Sequence, residues 1–214
     1  MQTDSIRSGS PSDSGSDRIT DKVAFFGYGS LVNELTLSKK YDIHSGKIQN
    51  WKREWKHCVD TPFGGVCALT ASRVEDALID GVFIKCNDIE LRQFDEREIG
   101  YDRIEIARSD VIYSNGVLPD RLYIYTSGPG HYRVGDFHYP IWLSYVEVVI
   151  CGYLRTFGEA GVDRFIQSTG GWSTPIIDDR KNPRYPRFTN VSDEHRRLIE
   201  TWLHNISEVK LYCE

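Results

Sequence analysis

The chain has 214 residues, 27% of them charged and 40% hydrophobic, with a net charge of -5; that is enough for one domain with a real core plus some extra segments, and short for two. The acidic balance argues against a nucleic-acid surface, which needs a basic excess on one face. No apolar run approaches the roughly 20 residues of a membrane helix, so neither a nucleic-acid nor a membrane partner is expected.

Residues 1–20 are rich in Ser, Asp and Gly and have no apolar stretch of the signal-peptide kind. Such a composition reads as a disordered tail. The cysteines (Cys58, Cys67, Cys86, Cys151 and Cys213) are scattered and odd in number, with no C-x-x-C pair. They predict free thiols, no disulfide framework, no cysteine zinc site and a cytoplasmic location.

The first ordered element is the apolar run Val23, Ala24, Phe25, Phe26, a buried strand that stops at Gly27. A glycine turn follows at residues 27–31. Residues 51–70 are β-rich, with two tryptophans and a turn at Gly64 and Gly65, and residues 78–85 continue the strand pattern. A helix is expected from an N-cap at Asp88, with Ile89, Leu91 and Phe94 sharing a buried stripe, to a stop at Gly100. Residues 101–107 alternate like a half-buried strand, and residues 121–126 form another strand. After a Gly- and Pro-containing loop over residues 127–140, Val146, Val149 and Tyr153 set a helical period up to Gly158. A shorter helix is expected over residues 161–168, then a proline-containing irregular segment to Phe188. The last helix starts near Ser192, with Ile199, Trp202, Leu203 and Ile206 at helical spacing. Strands first and helices later point to an α+β fold with a mixed sheet or barrel.

Two short motifs can carry chemistry. The turn Gly27-Tyr28-Gly29-Ser30-Leu31 lacks the third glycine of a dinucleotide fingerprint and the Gly-Lys-Ser/Thr of a P-loop. It remains either a plain structural turn or a concave site of exposed backbone N–H groups. The run Asp95-Glu96-Arg97-Glu98 is either a solvated charge run at a helix end or a carboxylate, Glu98, aimed into a cleft where helix gives way to strand. His131 and His138 have no third ligand beside them. His57 and Cys58 are strand neighbours that point apart, so they form no Cys-His nucleophile. The Pro/Arg stretch of residues 180–187 is either a surface wrap or the lining of a pocket mouth.

Taken together, Phe26-Gly27-Tyr28-Gly29-Ser30-Leu31 followed about 70 residues later by Asp95-x-Arg97-Glu98-x-x-Tyr101-x-Arg103 resembles the γ-glutamylcyclotransferase superfamily. That superfamily includes the ChaC-type glutathione-degrading enzymes and the AIG2-like proteins. Tyr145 followed seven positions later by Gly152 resembles the family's tyrosine-containing helix start. The resemblance covers residues 22–158. Departures are Asn33 in place of an earlier asparagine, Ile99-Gly100 in place of Gly-Gly, and Trp142 where Ser is common. The organisation implied is a γ-glutamylcyclotransferase-like domain over residues 21–158, a mixed β-barrel with flanking helices, and a C-terminal helical extension over residues 159–214 packed on it.

The resemblance implies a cofactor-independent reaction with no metal, in which the α-amine of a γ-glutamyl amide attacks its own γ-carbonyl. The products are 5-oxoproline and a free amine. Glu98 would be the general acid/base, residues Tyr28, Gly29, Ser30 and Leu31 would bind substrate through backbone N–H groups, Tyr101 would bind substrate and help screen Glu98 from water, and Tyr145 would hold the glutamyl moiety by its hydroxyl. Two alternatives stay open: a binding protein for a γ-glutamyl-like metabolite, or an enzyme trimming γ-glutamyl groups from a larger product. The expected assembly is a monomer or homodimer.

Overall fold

A computed structural model describes residues 23–113 and 116–213; the expected tail over residues 1–20 lies outside them. In chain order the elements are β1 (Val23–Gly27), β2 (Asp42–Thr61), β3 (Gly64–Cys86), α1 (Asp88–Arg97), β4 (Tyr101–Glu105), β5 (Val111–Ile112), β6 (Arg121–Ser127), β7 (Ile141–Trp142), α2 (Leu143–Ser168), β8 (Thr169–Gly170), β9 (Ile176–Asp178), α3 (Asp193–His204) and β10 (Leu211–Cys213). Two 3-10 turns, Ser30–Val32 and Glu34–Thr36, follow β1.

The main sheet runs β4-β6-β1-β3-β2-β5, with β8 added to β2. β1 lies between antiparallel β3 and parallel β6, and all five of its residues are buried. A central strand covered on both faces reads as a continuous apolar run rather than an alternating one, which is why it is legible in the sequence. The β2–β3 hairpin is far longer than the sequence suggests. Its register steps from Gln49↔Leu78 to Trp51↔Arg73, leaving residues 74–77 bulged opposite Asn50. Asn50 and Asp76 hold this bulge at positive φ, 64° and 61°, and Asn and Asp are the non-glycine residues that tolerate that region best. The polar bulge made one strand look like two. With its bulges the sheet curls into a half-barrel, bringing the Ser127 N–H within 2.8 Å of Thr70 Oγ1 and the Tyr101 hydroxyl within 2.6 Å of the Leu69 carbonyl. A second sheet, β10-β9-β7, is parallel.

Several local expectations are corrected. Asn87, not Asp88, caps α1, in a reciprocal capping box with Glu90. Ile89 is exposed whereas Leu91 and Phe94 are buried, because two positions along a helix is a rotation of about 200°. β4 is an edge strand and mostly exposed, not half-buried. The last helix does start after Ser192, whose side chain accepts from the His195 N–H. The expected break at Gly158 is present too: its φ of 66° and ψ of -173° divide α2 into two helical stretches, the second covering the expected shorter helix over residues 161–168. α2 packs against the first 3-10 turns at Gly152, where a Cβ would lie 2.7 Å from the Asn33 backbone nitrogen. Asn33 is fully buried; its amide donates to the Val148 carbonyl at 3.0 Å and its oxygen accepts from Arg155 at 2.9 Å. The Tyr145/Gly152 spacing thus has a steric basis: only a glycine lets the helix come this close. Past Gly158 the chain is part helix and part strand, and Phe165, Trp172, Ile176, Ile199 and Leu203 join the same core as the main sheet.

One buried group in α2 is costly. Glu147 is 1% exposed, and neither carboxylate oxygen has a hydrogen-bond partner among the described residues. The nearest charge is Arg180 Nη1 at 3.9 Å. Burial, opposed by Arg180 and Arg196, pushes its pKa up to about 7. A carboxyl whose folded pKa exceeds its unfolded one leaves stability intact below about pH 4.5 and removes it as pH rises through 7. The loss is on the order of 3 kcal/mol. Glu147→Gln is therefore expected to flatten the fall in melting temperature between pH 5 and pH 8. An unchanged slope would show that Glu147 is ionised at no such cost.

Candidate active site

Strand β1 ends in the turn, and the turn winds at once into a 3-10 turn. Gly29, its N-cap, has φ -119° and ψ -129°, and a Cβ there would stand 3.0 Å from the Tyr145 hydroxyl. A side chain there would crowd that hydroxyl, so glycine keeps the approach open. The first N–H groups of a helical turn have no acceptor within it, and those at the start here belong to Ser30 and Leu31. On the other side, Glu98 is the C-cap of α1; its N–H donates to the Phe94 carbonyl at 3.0 Å, and its carbonyl accepts from Tyr101 N–H at 3.1 Å. Gly100, at φ +79°, makes the corner into β4, with His57 and His131 each 3.1 Å from where a Cβ would be.

All seven residues singled out in the sequence line one cavity of about 30 Å³: Tyr28, Gly29, Ser30, Leu31, Glu98, Tyr101 and Tyr145. Phe26, Leu69 and Tyr125 complete its wall. Those three are apolar or aromatic strand residues that give no chemical signal in a sequence. The cavity shares Ser30, Glu98, Tyr101 and Tyr145 with a groove of about 310 Å³. Tyr185, Pro186 and Arg187 line that groove, whereas Arg180 is held by Asp178 and Glu200. The Pro/Arg stretch is therefore split: its end lines the groove and its start is an internal brace.

Burial raises the Glu98 pKa above the usual carboxylate range, against the opposing pull of Arg97 and Arg187. Arg97 Nε sits 3.2 Å from Glu98 Oε1, and its guanidinium also donates to the Thr36 carbonyl at 3.1 Å. The cation is thus fixed from behind. Burial likewise pushes the hydroxyls of Tyr28, Tyr101, Tyr125 and Tyr145 up, with Glu98 adding to each. They stay neutral at any working pH. Three of these hydroxyls are already committed as donors: Tyr28 to the Tyr125 carbonyl and Tyr101 to the Leu69 carbonyl, each at 2.6 Å, and Tyr125 to Asp95 Oδ1 at 2.9 Å. What they bring to the cavity is ring surface and oxygen lone pairs.

His57 braces the corner. Its Nε2 lies 3.2 Å from the Ile99 carbonyl and its Nδ1 2.9 Å from Ser127 Oγ. A carbonyl only accepts, so Nε2 carries the proton and Nδ1 accepts from the serine. The ring stacks on Tyr101 with centroids 3.6 Å apart, and burial lowers its pKa to about 4. It is neutral near pH 7. Cys58 faces Cys67 across the hairpin, not His57. His131 Nδ1 lies 3.2 Å from the Cys58 carbonyl, and the His138 N–H binds Asp136.

No family model matches the chain, and no curated protein matches it in sequence. Solved structures match it in fold. One described as a gamma-glutamyl cyclotransferase superposes with a TM-score of 0.51 at 16% identity, over 83% of this chain and 98% of its own length. YkqA from Bacillus subtilis superposes with a TM-score of 0.50 at 11% identity, over 68% of this chain and 53% of its own length. The protein therefore has a mixed α+β fold of the γ-glutamylcyclotransferase-like kind. Among the described residues no helix is long and apolar enough to cross a membrane.

Proposed function

We propose that this protein is an enzyme that cleaves a γ-glutamyl amide by internal cyclisation. The observation that carries the reading is a carboxylate of raised pKa, Glu98, lining one small cavity with the glycine turn at the end of β1. The site would sit on residues 21–158, with residues 159–214 packed on the same domain and lending Tyr185 to Arg187 to the groove.

The reaction balances without a co-reactant. Glu98 takes a proton from the substrate's α-ammonium. The freed amine attacks the γ-carbonyl, forming the ring C–N bond and a tetrahedral oxyanion. Backbone N–H groups of Ser30 and Leu31 are the donors suited to that oxyanion. Collapse breaks the original amide C–N bond as Glu98 returns the first proton to the leaving nitrogen, and the extra proton on the new ring nitrogen passes by the same carboxylate to the freed amine, which leaves as an ammonium. The nucleophile is already tethered, which supplies roughly 7–11 kcal/mol of barrier lowering when it is well oriented. A base of raised pKa is the better proton acceptor, and the ring faces of Tyr28, Tyr101 and Tyr145 exclude water from it.

Mass-spectrometric assay of 5-oxoproline across glutathione, γ-glutamyl amino acids, γ-glutamyl amines and larger γ-glutamyl acyl products tests this. Release of 5-oxoproline and amine in equal amounts from at least one class is expected. Binding of one class without 5-oxoproline would leave a metabolite-binding protein. Neither binding nor release would overturn the γ-glutamyl reading.

A further inference from the structure

The groove beside the cavity is about ten times its volume, and the two differ in chemistry. The cavity walls carry Glu98, the glycine turn and the tyrosines. Most of the remaining groove lining is apolar, Val59, Pro62, Phe63, Val66, Ala68 and Trp142 among it, with Tyr185, Pro186 and Arg187 beside them; His57, Thr61 and Arg97 are polar members that the cavity does not share. Phe63, at the tip of the β2–β3 hairpin, is 56% exposed. Such a surface gains free energy only when something apolar covers it. Arg187 is half-buried in the same wall. Arg97 is anchored on Thr36, but no hydrogen bond or ion pair engages the Arg187 guanidinium among the described residues, although its charge acts on Glu98. A guanidinium left free beside an apolar slot suits a planar carboxylate.

If the γ-glutamyl reading above holds, the scissile amide lies where the two spaces meet, at Ser30, Glu98, Tyr101 and Tyr145. The glutamyl end then points to the cavity and the leaving amine to the groove. We propose that the leaving group is a large apolar or aromatic α-amino acid, whose side chain covers the Phe63–Val66–Trp142 wall and whose carboxylate meets Arg187. A small leaving group leaves most of the groove wet. An amine without a carboxylate leaves Arg187 unmet.

Binding separates this from the reaction. Glu98→Gln protein with a wild-type melting temperature is titrated calorimetrically with γ-glutamyl-phenylalanine, γ-glutamyl-alanine and γ-glutamyl-phenethylamine. The phenylalanine compound is expected to bind ten- to a hundredfold tighter than the alanine compound and about tenfold tighter than the phenethylamine one. The wild-type KM values for 5-oxoproline release give a second measurement of the same order. Phe63→Ala, at an exposed position, should narrow the first ratio severalfold. Arg187→Gln should erase the second and leave the first. Equal affinities for the three compounds, or ratios untouched by these two variants, overturn the proposal. If the binding order holds and no compound yields 5-oxoproline, the cyclisation reading fails and the groove assignment stands. If 5-oxoproline is released without preference among them, the groove assignment fails and the cyclisation reading stands.

Discussion

Glu98→Gln should lower kcat for an accepted γ-glutamyl substrate by roughly 10²–10⁴ while leaving binding and folding in place. Glutamine keeps the shape and can still hydrogen-bond Arg97, but it takes no proton. Stability should not suffer. Burial already disfavours the Glu98 charge, so removing that charge removes a cost at neutral pH. Glu96 is the control: it is exposed two positions earlier on α1, and Glu96→Gln should leave turnover within a factor of two or so. The pH profile gives an independent check. A base must be deprotonated to work, so the acid limb of kcat/KM should lie above the usual carboxylate range, in the direction of the Glu98 shift, and vanish in Glu98→Gln. Wild-type rates of 5-oxoproline release from both variants would remove Glu98 from the chemistry.

The second large effect is on stability. Arg53 is fully buried in β2. Its Nε donates to Thr169 Oγ1 at 2.8 Å, its Nη1 to the carbonyls of Tyr28 and Asp80 at 3.2 Å each and to the Tyr153 hydroxyl, and its Nη2 to Ser168 Oγ at 3.1 Å. The guanidinium lies over the rings of Phe165 and Tyr153, 4.4 and 5.1 Å from their centroids. One side chain thus ties the start of the site turn, the middle of β3 and the C-terminal end of α2 together. Arg53→Met should cost about 3–5 kcal/mol in urea unfolding, because the Thr169 and Ser168 hydroxyls lose their donor and the Tyr28 and Asp80 carbonyls are left to share the one proton of the Tyr153 hydroxyl. Arg53→Lys should recover little, since an ammonium on a flexible stem cannot serve partners spread around a planar fork. A loss below about 1 kcal/mol in Arg53→Met would mean that water or a neighbour replaces the guanidinium.

Arg53 also marks where sequence reading stopped. Nothing in Lys52-Arg53-Glu54 separates a buried hub from an ordinary strand charge, because its partners are 25 to 116 positions away. Glu147 is invisible for the same reason: in sequence it is a charge on a helix, and only packing makes it an orphan. The groove is of this kind too. Phe63, Trp142 and Arg187 come from a hairpin tip, a two-residue strand and an irregular segment, and no local pattern joins them.

What the sequence determined by itself is local. An apolar run closed by glycine fixes a buried strand and a turn, a helical period fixes α2 up to its Gly158 break, and Ser192 fixes the start of α3, because propensity, capping and steric limits act over a few residues. Resemblance to the γ-glutamylcyclotransferase superfamily, carried by the glycine turn, Glu98 and Tyr145, marked them as one candidate set. Only the tertiary structure decided that they share a cavity, that the Tyr28 and Tyr101 hydroxyls are spent on backbone carbonyls, and that a far larger apolar groove adjoins the carboxylate. Those outcomes depend on a long bulged hairpin curling one sheet edge toward another, and the free energy of that curl comes from contacts between residues far apart in the chain.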